Sequence, residues 1–370
     1  MSQRIFYVER DPFTSRAFFP VFAEADLTAP EGVERLFTVQ SGDRPLGMAL
    51  NTAFPDVEER YRAFISHLTK TEKHLNVIGL GDVGGTLITA LKLLGDDISE
   101  IGIYDPNESL CRRYEMELNQ VLGREKPVIR ILDAAELFDC DAFLFTASRG
   151  VPPLGAAGDV RMLQFEKNRD MLKAYTKQAR EARFSGLFCQ ISDPVDQLTR
   201  CVFLQSNRDE NGTYDFAGLL PEQVAGFGLG VMKARAAYMA RRLGVDGASL
   251  RAYGPHGAGL VIANSPTAYD SELSNELTRL TVTANQEVRA LGFKPYIAPA
   301  ISSAALSILA LLRGEDFHGA VPMNGVCFGC VSRMTPAGTV VRREALHPQL
   351  QARLQAAWAA LREAEAQCRL

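Results

Sequence analysis

The sequence predicts an α/β protein, in which a Rossmann-type, doubly wound parallel sheet is preceded by an extra N-terminal segment and followed by an α+β domain. Two observations carry this prediction. From about residue 75, short runs of consecutive apolar residues alternate with stretches of helical spacing, which is typical of parallel strands covered on both faces. The first run ends in the glycine pattern G-x-G-x-x-G, which in such folds joins a strand to a helix.

The elements of the predicted parallel sheet follow one another in a regular order. The predicted strands are LNVIGLG, EIGIYD, VIRIL, DAFLFTAS and GLFCQIS. The predicted helices cover about 84 to 94, 107 to 122 and 161 to 182. Apolar runs of this length, separated by helical patterns, indicate buried strands with helical crossovers.

Three parts are predicted along the chain: an N-terminal extension or small subdomain over 1–74, a Rossmann domain over 75–244 and a C-terminal domain over 245–370. In the first part strands and helices do not alternate in this way, and one helix is expected near 56 to 70. The sequence predicts no function for this part. Residues 206 to 216 form a polar loop insertion. In the last part, 298 to 312 predict a buried helix and 349 to 367 an amphipathic helix.

The composition excludes several classes of protein. The 370 residues are 46% hydrophobic and 23% charged, with a net charge of −4, so nucleic acid and anionic membranes are not expected partners. Charges within the first dozen residues argue against a signal peptide, and the longest apolar run is too short to span a bilayer. Seven scattered cysteines, an odd number, predict a reducing, cytoplasmic location. The one C-x-x-C pair, Cys327 and Cys330, lacks further ligands, so no metal is expected.

The glycine pattern in VIGLGDVGG predicts a dinucleotide site. Gly79 would make the tight turn, Gly81 would let a pyrophosphate approach the backbone, and Gly84 would allow close helix packing. The helix that starts in this loop presents free N–H groups to the phosphates. The loop positions between the second and third glycines, also assigned to the cofactor, are Asp82 and Val83.

The nature of the dinucleotide is predicted from the end of the second strand. Asp105 stands there, 26 residues after Gly79, where an acidic side chain accepts hydrogen bonds from the adenosine ribose hydroxyls. Its charge would repel a 2′-phosphate. The expected cofactor is therefore NAD rather than NADP.

Five motifs in order make the chain resemble a divergent member of the lactate/malate dehydrogenase family from residue 75 to about 345. After the glycine loop, FTASRGVPPLGAAGDVRMLQFEKN resembles the family's mobile loop and the helix behind it, and ISDPVD is similar to the family's S-N-P-V-D. VAGFGLGVMKARAAYMARRLGV resembles the segment that carries the substrate arginine. GPHGAG is similar to the histidine motif, and YIAPAISSAALSIL to the last active-site helix. The resemblance does not include residues 1–74.

The resemblance implies roles for residues at the matching positions. His256 would be the acid/base that exchanges a proton with substrate, and Arg235 would grip a substrate carboxylate through its bidentate fork. Arg161 would close on the substrate and polarise its C=O. Asn168, seven residues later, falls at a cofactor-binding position, and Arg149 is a further cation assigned to the substrate. The resemblance also implies a homodimer or homotetramer acting on a small carboxylate.

Three departures from the family pattern bear on the chemistry. The acid that orients the histidine is replaced by Met232, and no Asp or Glu occurs from 224 to 245, so His256 would lack its anionic partner. The asparagine of S-N-P-V-D is replaced by Asp193, which places a carboxylate near the reacting centre and assigns it a catalytic role. Pro153 stands where malate enzymes carry an arginine for a second carboxylate, so malate is not the expected substrate.

Three functions remain open from the sequence. The first is an NAD-dependent oxidoreductase acting on a small 2-oxo or 2-hydroxy acid other than malate. The second is an NADH-dependent imine reductase, in which Asp193 would stabilise an iminium cation. The third is a catalytically degenerate family member that binds NAD without turnover, as the loss of the orienting acid at Met232 would favour.

Overall fold

A computed structural model gives the fold and describes residues 4–38, 44–149 and 160–365, without the side chains of 160–163. Within these ranges the strands are β1 Arg4–Val8, β2 Phe18–Val21, β3 Gly47–Asn51, β4 Lys73–Ile78, β5 Ile98–Tyr104, β6 Val128–Ile131, β7 Ala142–Phe145, β8 Leu187–Gln190, β9 Val224–Gly226, β10 Arg251–Tyr253, β11 Val261–Ala263, β12 Asp316–Met323, β13 Val326–Thr335 and β14 Gly338–Val341. The helices are α1 Val57–Leu68, α2 Asp82–Leu94, α3 Glu108–Leu118, α4 Val160–Glu181, α5 Val195–Ser206, α6 Leu229–Arg242, α7 Ser271–Ala290, α8 Leu306–Leu312 and α9 Pro348–Ala364, and a π-helical turn, Pro299–Ala305, leads into α8.

The central sheet confirms the predicted Rossmann-type fold. Its order is β6-β5-β4-β7-β8-β9-β12-β13-β14, and the pairs from β6 to β9 are all parallel. The chain runs outward from β4 to β6 on one side and from β7 to β9 on the other. This change of direction between β4 and β7 is where open α/β sheets bind ligands, outside the carboxyl ends of the strands.

The last three strands, β12 to β14, continue the same sheet, whereas β10 and β11 pair with each other in a separate two-stranded sheet. β12 joins β9 through the antiparallel pair Ala320 and Gly226, and β12, β13 and β14 form an antiparallel meander. The sequence did not predict these three strands. Residues Cys327 and Cys330 lie three positions apart in β13, so their side chains point to opposite faces of the sheet.

The N-terminal segment packs onto the main body. Its three strands have the order β1-β3-β2, and α1 occupies the predicted helical stretch. Phe18 and Phe64 are fully buried and belong to the same hydrophobic core as Leu75 and Val77 of β4. The limits of the three predicted parts, at 74/75 and 244/245, stay predictions. In the described ranges no helix is long and apolar enough to cross a bilayer.

Candidate active site

A cavity of about 1260 Å³ opens at the carboxyl ends of β4, β5 and β7. It therefore lies at the topological switch point of the sheet, between β4 and β7, where the fold predicts a ligand site. The walls include nine residues that the sequence assigned to the site, namely Gly79, Gly81, Asp82, Val83, Gly84, Asp105, Asp193, Arg235 and His256.

The glycine loop has the geometry that a dinucleotide needs. Gly79 has φ +86°, and a Cβ there would lie 2.6 Å from backbone atoms of Ala147 at the end of β7. A Cβ on Gly84 would overlap the Gly79 carbonyl oxygen, so this glycine permits the close approach of α2 to β4. A Cβ on Gly81 would meet nothing within 4 Å, because this glycine faces the open cavity at the start of α2. The backbone N–H groups there are open to an anionic ligand.

Asp105 is held against the glycine loop by backbone hydrogen bonds. Its Oδ2 accepts from the Leu80 N–H at 2.8 Å, and its Oδ1 accepts from the Asn107 N–H at 2.9 Å. A carboxylate has about four acceptor sites, so both oxygens keep capacity for further donors on the cavity side. At the edge of the loop, Asp82 forms an ion pair with Lys294 at 2.9 Å.

The His256 ring is oriented by a backbone carbonyl. Its Nδ1 lies 2.7 Å from the Gly228 oxygen, and since a carbonyl can only accept, the hydrogen must be on Nδ1. A Cβ on Gly228 would lie 2.6 Å from the His256 Cβ, so a glycine is needed for this contact. The His256 backbone N–H donates to Oδ2 of the buried Asp196 at 2.7 Å, and burial raises the pKa of Asp196 to about 6.

The other ring nitrogen of His256 faces the cavity and a carboxylate. Nε2 lies 3.7 Å from Oδ1 of Asp193, whose side chain is 52% exposed. The family's acid would hold Nδ1 from behind the ring, where the described structure has a carbonyl. The negative charge has thus moved to the side of the ring on which a substrate would lie.

Arg235 lies in the cavity wall without an acidic partner among the described residues. Its Nη1 contacts the Sδ of the buried Met232 at 3.9 Å. Burial lowers the pKa of Arg235, and the charge of Asp193 opposes this shift. A half-buried guanidinium that pays desolvation without an ion pair is suited to bind an anionic ligand.

Three of the assigned residues do not line this cavity or cannot be compared with it. Asn168 is fully buried and holds two loops together: its Oδ1 accepts from the Arg149 N–H at 2.9 Å, and its Nδ2 donates to the Asp193 carbonyl at 2.8 Å. The Arg149 side chain is exposed and is not part of the described cavity wall. The Arg161 side chain lies outside the described part of the chain, as does Pro153.

The sequence interpretation missed one wall of the cavity and one buried hydroxyl. Val282, Asn285 and Arg289 of α7 line the cavity, and their spacing of three and four residues, which places them on one helix face, could have indicated them. Ser303 lies behind the His256 ring and donates to the Gly228 carbonyl at 2.8 Å. Ser303 lies in the motif YIAPAISSAALSIL, but the motif does not single out this serine.

Comparisons with known proteins agree with this fold. No family model matches the chain. The L-lactate dehydrogenase of Streptococcus uberis is 31% identical over 195 residues, which are 51% of this chain and 55% of that protein. The chain thus matches about half the length of this curated relative.

Solved structures match over a longer part of the chain. The minor L-lactate dehydrogenase of Enterococcus mundtii has a TM-score of 0.67 at 18% identity and covers 80% of this chain and 99% of its own. The malate dehydrogenase of Archaeoglobus fulgidus in complex with NADH has a TM-score of 0.64 at 19% identity, with coverages of 80% and 99%. The fold is that of the lactate and malate dehydrogenases. Over about half its length the chain is also similar in sequence to L-lactate dehydrogenase.

Proposed function

We propose that the chain is an NAD-dependent oxidoreductase that transfers a hydride between nicotinamide and a small carboxylate substrate of the 2-oxo/2-hydroxy acid type. One observation carries the proposal: His256 and Arg235, which has no acidic partner among the described residues, line the same cavity as the glycine loop. The name of the Streptococcus uberis relative, an L-lactate dehydrogenase, supports the same reaction type.

The residues that would hold NAD fit this cofactor. Gly81 leaves the start of α2 open to a pyrophosphate, and Asp105 is fixed at the end of β5 with acceptor capacity for ribose hydroxyls. The Asp105 charge favours NAD over NADP. The cofactor would supply the hydride acceptor or donor at C4 of its nicotinamide. Asn168 and the loop residues Asp82 and Val83 would shape the site around it.

The chain's own residues would bind the substrate and move its proton. Arg235 would hold the carboxylate with two parallel N–H donors. His256, with Nδ1–H fixed by Gly228, would take the proton of a substrate hydroxyl on Nε2 as the hydride leaves carbon, and would return it in the opposite direction. By resemblance, Arg161 would polarise the substrate C=O, and Arg149 would be a further cation near the substrate.

The substrate would carry one carboxylate, because Pro153 replaces the arginine by which malate enzymes bind a second one. Malate and oxaloacetate are therefore not the proposed substrates. We also propose a cytoplasmic location and a homodimer or homotetramer. No nucleic acid or membrane partner is proposed, because the net charge of −4 does not favour binding to anionic surfaces.

Imine reduction is a second candidate, and Asp193 is the observation that favours it. A carboxylate 3.7 Å from the acid/base nitrogen would oppose negative charge on a carbonyl oxygen but would stabilise an iminium cation. A chain that binds NAD without turnover is the third candidate, since Met232 leaves His256 without the family's acid.

The experiment that separates these candidates measures NADH oxidation with 2-oxo acids alone and with 2-oxo acids plus ammonium or methylamine. The activity of wild type is compared with that of Asp193→Asn, and each measurement is repeated with NADPH. Asp170→Asn, which changes an exposed residue of α4, is the control. A 2-oxo acid reductase should gain activity in Asp193→Asn, because a charge near a developing oxyanion is removed. An imine reductase should lose activity, because an asparagine at this position could not stabilise the iminium as the Asp193 carboxylate does. The loss in transition-state stabilisation should be about 2 kcal/mol, roughly thirtyfold in rate.

Three results would contradict the proposal. Absence of turnover by wild type in every mixture would favour the degenerate NAD binder. A confirmed activity that Asp193→Asn leaves unchanged would remove the catalytic role of Asp193. Equal use of NADH and NADPH would remove Asp105 from its proposed role.

A further inference from the structure

The carbonyl that orients His256 is itself part of a short hydrogen-bonded chain. Gly228 O accepts from the ring Nδ1–H at 2.7 Å and from the Ser303 hydroxyl at 2.8 Å. The Ser303 Oγ accepts from the Val231 N–H at 2.8 Å. Ser303 is 2% exposed and lies in the π-helical turn before α8, so water does not compete for these bonds.

The direction of every bond in this chain is determined by chemistry. An amide N–H can only donate and a carbonyl can only accept. The hydroxyl of Ser303 must therefore direct its hydrogen to Gly228 and a lone pair to Val231. A carbonyl oxygen has two lone pairs, so it can accept from Ser303 and from His256 together. The arrangement leaves the His256 ring one neutral form, with Nδ1 protonated and Nε2 directed to the cavity.

Two glycines at the start of α6 make these contacts possible. A side chain on Gly228 would collide with the His256 ring, and a Cβ on Gly230 would overlap the Ser302 carbonyl and lie 2.9 Å from the Ser303 Cα. The first turn of α6 therefore approaches both the histidine loop and the π-helical turn more closely than other residues would allow. The sequence GFGLG, which contains both glycines, precedes the position where the family's acid is replaced by Met232.

We propose that Ser303 is a positioning residue of the oxidoreductase site, which fixes the Gly228 carbonyl so that this carbonyl orients His256 in place of the missing acid. The inference rests on the proposed function for its catalytic meaning. Ser303 and Gly228 are uncharged, so they set the ring's orientation and tautomer without stabilising an imidazolium.

The test combines turnover with the tautomer of His256. In protein with ¹⁵N-labelled histidine, two-bond ¹H–¹⁵N spectra show which ring nitrogen carries the hydrogen, and a His256→Gln spectrum assigns the signal among the five histidines. Wild type should show Nδ1–H. Ser303→Ala should give a mixture of tautomers and lower kcat by about two- to tenfold, the value of one hydrogen bond, with KM and NADH affinity unchanged because Arg235 and the glycine loop are untouched.

Two further variants serve as controls. Ser303→Thr keeps the hydroxyl and should restore the Nδ1–H tautomer. Ser307→Ala removes a buried hydroxyl of α8 that bonds to Ser302 O at 3.2 Å and does not contact Gly228, and it should behave as wild type. An Nε2–H tautomer in wild type overturns the proposal even if Ser303→Ala does not fold. An unchanged tautomer in Ser303→Ala overturns it as well. The spectra need no turnover, so an inactive wild type would contradict the proposed function and leave the test of Ser303 intact.

Discussion

Arginines have opposite surroundings in the N-terminal segment and in the cavity. In the N-terminal segment, Arg10, Arg16 and Arg35 converge on one buried carboxylate, Glu31, at 2.6, 2.7 and 3.9 Å. In the cavity, Arg235 has a thioether as its described neighbour. Burial raises the pKa of Glu31, but the charges of Arg16, Arg35 and Arg10 and the hydrogen bond from Arg16 together outweigh burial, so the pKa is lowered overall. In a buried ion-pair cluster each charge depends on its partners, so the loss of one destabilises the fold. A half-buried guanidinium without a carboxylate among the described residues is instead suited to bind an anionic ligand.

The largest effect is expected where the paired cluster is broken. Glu31→Gln removes the charge that three guanidinium groups share, and leaving buried cations uncompensated costs about 3 to 5 kcal/mol. Urea unfolding of the variant should show this loss in the free energy of unfolding. Glu24→Gln, on an exposed position of the same segment, should leave stability unchanged. A loss below about 1 kcal/mol in Glu31→Gln would show that the cluster is not structural.

A smaller loss, and one of activity instead of stability, is expected at Arg235 in the cavity. Arg235→Lys keeps the charge but cannot copy the bidentate geometry. The cost in transition-state binding should be about 2 to 4 kcal/mol, roughly 30- to 1000-fold in kcat/KM, with NADH affinity and stability nearly unchanged. Steady-state kinetics and NADH fluorescence check this, with Arg241→Lys at an exposed position of α6 as the control. An unaltered rate with a confirmed substrate would make Arg235 a structural residue.

The central sheet shows how much of the fold could be predicted from the sequence. The parallel strands β4 to β8 were predictable because each lies in a mainly apolar run, and the glycine loop because its three glycines lie within six residues. The short parallel strand β9 was not predicted. β12 was not predicted, since Gly319 and Pro322 interrupt its pattern and its partners, β9 and β13, supply the pairing. Strand assignment there depends on contacts that are distant in sequence.

The candidate site divides in the same way. Local motifs led to Asp105, Arg235 and His256, which line one cavity. Ser303 was missed, although its segment was compared with the last active-site helix, because its partner, Gly228, is 75 residues away and nothing within the segment distinguishes this serine from its neighbours. Asn168 was assigned to the cofactor by position, yet its amide bonds to two backbone loops, a geometry that spacing does not contain.

The smallest effect is expected at Glu222, a second buried glutamate, which contacts the N-terminal segment. Glu222 is buried like Glu31, but its Oε1 accepts from the N–H groups of Ala17 and Phe18 at 3.0 and 3.3 Å, and it has no ion pair in the described ranges. Burial, the largest cause, raises the pKa of Glu222 to about 7. The folded protein therefore binds this proton more tightly than the unfolded chain, whose glutamates titrate near pH 4.3. The stability that the protonated form contributes is complete at low pH and is lost as the pH rises toward 7.

Glu222→Gln should remove this dependence, because the amide keeps the acceptor oxygen for Ala17 and Phe18 and cannot ionise. Its free energy of unfolding should match that of wild type near pH 4.5 and exceed it at pH 8 by about 1 to 3 kcal/mol. Urea unfolding at the two pH values gives the free energy of unfolding of each protein. The difference between variant and wild type removes the contribution of other groups, such as Asp196, that titrate in the same range. Glu210→Gln, at an exposed position, should give the wild-type profile. A Glu222→Gln protein less stable than wild type at pH 8 would mean that Glu222 is ionised and stabilising, as Glu31 is, and the contrast between these two buried glutamates would be wrong.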